Sequence, residues 1–502
     1  MDVNYPPMIL SDDFEEHRNI AWRIEPGVQD PDNPLMAPKY PWDAGATFSH
    51  GTVLKDPLDG LYKAWYLSTP AYTKDRQLTY AYSEDGRVWT RPELDVYPSD
   101  GYQRTNIVLG SSMGGQVSQV SVFIHPDAER DRRYEMYCFR YPSYKWRTPG
   151  YGNPSGLIQG LSLVPGQSGH VQGLYRHFSS DGVHWAPEGE PLAGNSVTRD
   201  AFGGRPFVAS DGLYVFQLSD GRYVIYDKVK IPALPGGYVS YDIARGVCRI
   251  IARRESSDGW QWTHTYENVL TPDWRDPHDT QFMELMLNEY NGGFIAVATV
   301  YHTLEHTIDI QLAGSGDGHN WFRPSRRSCV TLAPLGDIGG GMLWPMRGFV
   351  LDGEMAHLYY SGLRGIHGDL YRTGPNLAGF HGAFCRASWE IGRMWAAIPN
   401  AGNVYGEDYD DYTASLTTPL QDCRGKRLMV NAVTVDGGVV EAELLDAEHR
   451  PIDGYSKGDC RPFVGDEKCV PLTWKGHDVV DVDGAHLRLT LTDARLYGYD
   501  WR

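Results

Sequence analysis

The residues of this 502-residue chain best suited to chemistry are carboxylates near the start of short apolar segments, with a tryptophan or an arginine beside them. Asp43 follows Trp42 in YPWDAGATFSH, which ends on His50. Asp200 stands between Arg199 and Arg205 in TRDAFGGR. Asp276, Asp279 and Glu284 fall in WRDPHDTQFME, which opens on Trp274. Asp337 opens DIGGGMLWPMR, which carries Trp344 and Arg347. Glycosidic cleavage needs two carboxylates flanking the bond, one giving a proton and the other acting as nucleophile or base. Aromatic faces suit the apolar face of a sugar ring.

Glu284 lies within the apolar run QFMELML. A carboxyl buried there is expected to have a raised pKa, as a general acid requires. The other acids also fit plainer roles, because an Asp at a strand start is commonly a turn or cap residue. Asp200 can pair with its flanking arginines, Asp276 before Pro277 suits a turn, Asp337 can open a glycine loop, and Asp279 fits either role. Asp43, Asp200 and Glu284 are assigned as the catalytic set. Trp42, His50, Arg199, Arg205, Trp274, Asp279, Asp337, Trp344 and Arg347 are assigned to substrate binding. His50, His125, His278, His367 and His381 are expected to be hydrogen-bonded pocket or core residues. With neither HExxH nor CxxC spacing, no metal centre or cofactor is expected, which leaves room only for a structural ion in a central channel.

Repeats reveal the elements that must position these residues. Ser-x-Asp-Gly-x-x-Trp occurs four times, at Ser83–Trp89, Ser179–Trp185, Ser256–Trp262 and Ser315–Trp321. Each copy follows a strand-like run. Asp-Gly supplies a tight turn, and the Ser and Asp side chains can satisfy loop amides. The Trp is expected to plug a gap between sheets, and these four aspartates are read as structural. A second repeat consists of five aromatic or aliphatic strands after polar turns: LYKAWY from Leu61, YEMY from Tyr134, LYVF from Leu213, FIAV from Phe294 and HLYY from His357. Together the repeats predict an all-β five-bladed propeller over residues 1–404, whose fifth blade ends near Trp389. The acids above then fall on inner strands around one axis. Residues 142–170 are rich in Gly, Pro and Ser and are expected to form a long loop on the second blade. After the acidic stretch 405–411, alternating segments such as RLMVNAVT and HLRLTLTDARLYGY predict a β-sandwich over 411–502.

Composition narrows the partners. A formal charge of −18 disfavours nucleic acid and anionic membrane surfaces. No run approaches the roughly 20 apolar residues of a spanning helix. The start lacks a basic segment followed by an apolar core, so a cytoplasmic location is expected. Seven scattered cysteines are expected to be reduced thiols.

The Ser-x-Asp-Gly-x-x-Trp repeats, with acids on inner strands of five blades, resemble the furanosidase-type propellers of glycoside hydrolase families 32, 43, 117 and 130. The appended sandwich is most similar to the family 32 layout. The turn motif also resembles the Asp-box of sialidases. The family 32 resemblance implies Asp43 as nucleophile, Arg199-Asp200 as transition-state stabiliser and Glu284 as acid. Two family motifs differ here. Trp42-Asp43-Ala44-Gly45 stands where fructosidases carry Asn-Asp-Pro-Asn-Gly, and Glu284 is followed by Leu285 rather than Cys. The implied activity is exo-acting cleavage of a neutral sugar, a fructofuranoside or an arabinofuranoside. The rivals are a glycan phosphorylase or lyase on the same scaffold, and a non-catalytic glycan-binding propeller.

Overall fold

The computed structural model describes residues 3–44, 49–70, 76–110, 116–141, 144–146, 161–163, 173–186, 192–195, 208–209, 211–232, 247–263, 266–367, 382–400 and 413–502. Its regular structure is almost wholly β, and the chain runs in turn through sheets of four, five, four and eight strands, the last joining two antiparallel units through the parallel pair Ile308–Met342. The innermost strands of the resulting five units are Thr52–Lys55, Gln116–Ile124, Tyr214–Gln217, Thr280–Tyr290 and Met342–Pro345. In four units the inner strand is followed by the aromatic second strand expected from sequence, Tyr62–Ser68, Tyr134–Tyr141, Gly293–His302 and Met355–Leu363. In the third, LYVF, expected as the second strand, is itself the inner strand Tyr214–Gln217, and Tyr223–Pro232 pairs with it as the second. The outermost strand of the fifth unit comes from the N-terminal segment, because Val28–Gln29 pairs with Ser388 and Ala387.

The repeated turns hold the units together. In every copy the Ser hydroxyl accepts the amide of the Gly, at 2.8–2.9 Å. The Asp carboxylate accepts the two amides that follow the Gly. The Gly takes a φ between 70° and 76°, a left-handed backbone that other residues enter at a cost. Its carbonyl then accepts a hydrogen bond from an aromatic side chain on the second strand of the preceding unit. Trp65 donates to Gly182 (2.6 Å), Tyr137 to Gly259 (3.1 Å) and Tyr226 to Gly318 (2.7 Å). Tyr359 of the fifth unit donates to Gly86 of the first (2.9 Å), so the series closes on itself. The turn tryptophans pack across the same seams: Trp89 meets Tyr359 and Phe384 edge-on, and Trp321 meets Tyr226. Where the motif has decayed, Trp389 is buried and its indole donates to the carbonyl of Glu25 (2.8 Å).

The C-terminal region forms a seven-stranded sheet around Leu428–Leu445 and His486–Trp501. Alternate residues, such as Val430, Ala442, Leu489 and Leu496, face one core closed by Phe463, Leu472 and Trp474. This sheet also contains Glu16–Arg18, Ile20–Ile24 and Trp395–Pro399, so both ends of the chain meet in it. Among the described residues, no helix is long and apolar enough to cross a membrane.

Candidate functional site

The inner strands run side by side, and their starts bring together residues distant in sequence. His50 Nδ1 lies 3.0 Å from Glu284 Oε1. Gln119 Nε2 donates to the same oxygen (3.2 Å) and lies 3.2 Å from the His50 nitrogen. With the proton assigned to Nδ1, His50 is the donor and Glu284 the acceptor. Gln119 is held in turn by the Ser118 hydroxyl, which itself accepts from Arg76 (3.1 Å). Three inner strands thus converge on one carboxylate oxygen.

The local backbone explains how they do so. Pairing in the second unit shifts register between Ser118 and Val120, and in the fourth between Phe282 and Glu284. Such bulges re-aim side chains that regular alternation would send elsewhere. Gln119 (φ 38°) and His50 (φ 55°) both occupy left-handed backbone, which non-glycine residues adopt at a cost of about 1–3 kcal/mol. The neighbouring units hold this arrangement: the Val120 amide donates to His50 O (2.8 Å), and the Thr52 hydroxyl donates to Val120 O (2.7 Å).

The second oxygen of Glu284 is buried and has no hydrogen-bond partner among the described residues. The residue as a whole is only 1% exposed. Tyr214, on the third inner strand, is fully buried, and its hydroxyl also lacks a partner among the described residues. Burial and then the nearby Glu284 charge hold the Tyr214 phenol well above its ordinary pKa, so it remains a donor. Natural proteins rarely leave buried polar atoms without a partner, and each such atom calls for a reason. Beside the carboxylate is an aromatic wall. Trp344 meets His50 edge-on (4.7 Å between centroids), and His367 lies 4.7 Å from Tyr301 and 6.5 Å from Trp344. Met283, Met342 and Leu363 pack behind it.

The other sequence-derived candidates lie in varied places. Asp43 is buried in the short 3-10 turn Pro41–Asp43. One oxygen accepts the Lys39 and Tyr40 amides (2.7 Å each), and the other pairs with Arg91 (2.6 Å). Burial pushes its pKa up, against the Tyr40 amide and the Arg91 charge. Trp42 is buried, stacked on Tyr40 and bonded to Asn106 (2.8 Å). Asp279 accepts the Leu304 amide (3.1 Å), and Asp337 is exposed. Trp274 is 92% exposed. Asp276, read as a turn former, is paired with Arg323 and Arg326. Arg347 lies along the axis with its guanidinium between Phe123 and Phe216, donating to the carbonyls of Val215 (2.8 Å) and Val122 (3.4 Å). Burial lowers its pKa to about 9. Arg199, Asp200 and Arg205 lie outside the described residues. The structure therefore brings together Glu284, His50 and Trp344 and adds Gln119 and Tyr214. A search for acids passes over both: the window around Gln119 contains none, and Tyr214 falls in LYVF, which reads as a second strand.

No family model matches the chain, and no curated protein matches its sequence. Several solved structures are similar at low identity. A glycosyl hydrolase from Bacteroides ovatus has a TM-score of 0.46 and 13% identity, covering 74% of this chain and 96% of that one. A structure described under the GH130 family of mannoside phosphorylases, which contains glycoside hydrolases targeting β-1,2 mannosidic linkages in Candida mannan, has a TM-score of 0.46 and 13% identity. It covers 76% of this chain and 96% of its own. An N-acetylgalactosamine deacetylase from F. plautii, in complex with blood group B trisaccharide, has a TM-score of 0.43 and 16% identity over 74% of this chain and 96% of its own. At these identities the likeness concerns the fold.

Proposed function

We propose that this chain cleaves glycosidic bonds of a neutral sugar at the axial end of its propeller, with Glu284 as the proton-transferring carboxyl. One observation carries this reading: Glu284 is buried, one oxygen is fixed by His50 and Gln119, and the other is left without a partner. Fixing Oε1 aims Oε2, and a protonated carboxyl in that setting can deliver its proton to the leaving oxygen. The Trp344 wall suits the apolar face of a sugar ring, and the Tyr214 hydroxyl can donate to a sugar oxygen or to the carboxylate. Asp200 is the proposed second carboxylate, because both oxygens of Asp43 are already engaged. A furanoside is the proposed substrate class, on the strength of the sequence resemblance.

The test is a panel of aryl furanosides and pyranosides, assayed with and without inorganic phosphate and with NMR of the first product anomer. Release of the aryl group independent of phosphate, and lost in Glu284→Gln, is expected. Phosphate-dependent turnover would replace hydrolysis by phosphorolysis. Wild-type turnover in Glu284→Gln would overturn the assignment of the acid.

A further inference from the structure

A second cluster of chemistry-bearing side chains lies in the C-terminal sheet, far along the chain from the axial residues. Glu15, His449 and His486 each place one ligand atom so that all three lie within 4.8 Å of one another. We infer that these residues form a site for a divalent transition-metal ion of the zinc class, which pins the N-terminal arm to the C-terminal sheet.

The sheet register creates the convergence. Leu445, the last residue of its strand, pairs with His486, the first residue of the final strand. The chain then turns back at once, with the His449 amide donating to Asp446 O (2.9 Å). This lays the His449 ring on the His486 ring, 4.4 Å between centroids and 20° from parallel. From the other side, the Glu15 amide donates to Thr417 O (2.8 Å), and Glu16 pairs with the same Thr417 in the sheet. The Glu15 carboxylate then spans both imidazoles, with Oε1 3.4 Å from His449 Nε2 and Oε2 2.8 Å from His486 Nδ1.

Three features favour a metal over a simple ion pair. Two imidazoles and a carboxylate are a donor set that suits zinc, with further positions left for water. The tight turn that holds His449 at a φ of 59° presents its ring against His486 and its Nε2 toward Glu15, so the donors are brought together by the backbone. The burial is graded: the side chain of His486 is 9% exposed, whereas Glu15 and His449 are 41% and 38% exposed, so an ion can enter from solvent. Binding replaces the Nδ1 proton of His486, now shared between Glu15 and the Thr418 carbonyl (3.0 Å), and releases it.

The test uses tag-free full-length protein in a Cys469→Ser background, because Cys469 is an exposed thiol that could itself take zinc. Zn²⁺ is titrated calorimetrically, with Mg²⁺ as a control whose preference for oxygen ligands should leave it unbound. One equivalent of Zn²⁺ is expected, with a higher unfolding temperature and slower proteolysis of the first 30 residues. His449→Gly relieves the left-handed backbone, so it should fold at least as well as the parent while weakening Zn²⁺ binding about tenfold or more. Glu15→Gln keeps the shape and should weaken binding likewise. Absence of stoichiometric binding, or parental affinity in both variants, would overturn the site.

Discussion

The turn aspartates and the axial glutamate are the same chemical group in opposite circumstances. Asp85, Asp181, Asp258 and Asp317 sit at exposed turns, and each accepts two backbone amides and a serine hydroxyl. The Val88 amide leads in holding Asp85 below the ordinary aspartate pKa, and the Gln261 amide does so for Asp258. Against partial burial, which pushes it up, Asp317 is brought down to about 2 by the amides of Asn320 and His319. Glu284 is buried on a bulged strand, flanked by two residues in left-handed backbone, with an oxygen left over. In each turn aspartate one oxygen takes three bonds while the side chain sits at an exposed turn, so its bonding goes into the fold and the rest of the carboxylate faces water. Glu284 is also held on one side only, but its second oxygen is buried, and the fold bears the expense.

This contrast can be broken from either side. The largest effect is expected from Glu284→Gln. Turnover should fall about 10²- to 10⁴-fold, the usual worth of a positioned proton donor. The denaturation midpoint should hold, because the amide oxygen keeps the side chain's shape and can still accept from His50 and Gln119. A variant that unfolds instead would place Glu284 with the structural acids. Next comes Gly182→Ala. Its Cβ would run into Trp65 at a φ of 75°, so chemical denaturation should reveal a loss of about 2 kcal/mol. Turnover per folded molecule should be unchanged. Asp258→Ala removes a cap-like pair of amide bonds and should cost about 1 kcal/mol by the same measurement, again without loss of turnover. The smallest effect concerns acid. The folded pKa of Asp317 is depressed, so its contribution is present above the unfolded value near 3.8 and is lost as pH falls toward about 2. Asp317→Asn should therefore be slightly less stable at neutral pH and lose stability less steeply across that window. A denaturation series at stepped pH would reveal this.

The turns were legible because their chemistry is local. Ser, Asp, Gly and Trp within seven residues specify the backbone, the side-chain bonds and the packing partner type. Four of the five second strands were legible for the same reason, whereas LYVF, equally apolar and aromatic, proved to be the third unit's inner strand. Glu284 and His50 fell in windows placed correctly in the other units. What escaped depends on distant partners. The role of Asp43 is set by Arg91, 48 residues further along, and by two amides. Arg347 looked like a ligand-binding cation but serves as an axle, because two carbonyls and two phenyl rings from other units enclose it. Gln119 and Tyr214 carried no acidic signature, and a one-residue bulge leaves no trace in a hydrophobic pattern. The Gly carbonyl latches were invisible because their donors come from the neighbouring unit.

The closure of the fifth unit by Val28–Gln29 has a consequence during synthesis. Those residues leave the ribosome some 360 positions before Ala387 and Ser388, the strand they must join. At 5–20 residues per second, the wait is about 20–70 seconds. Throughout it the ring is open at one seam, and the edge of whichever unit was made last presents unpaired backbone to solvent or to a chaperone. The loop to be closed is long, and its entropy must be met before the seam yields any contact. The arm that seals the ring is thus an early segment with a late partner, and the nascent protein stays vulnerable until the strand carrying Ala387 and Ser388 has been made.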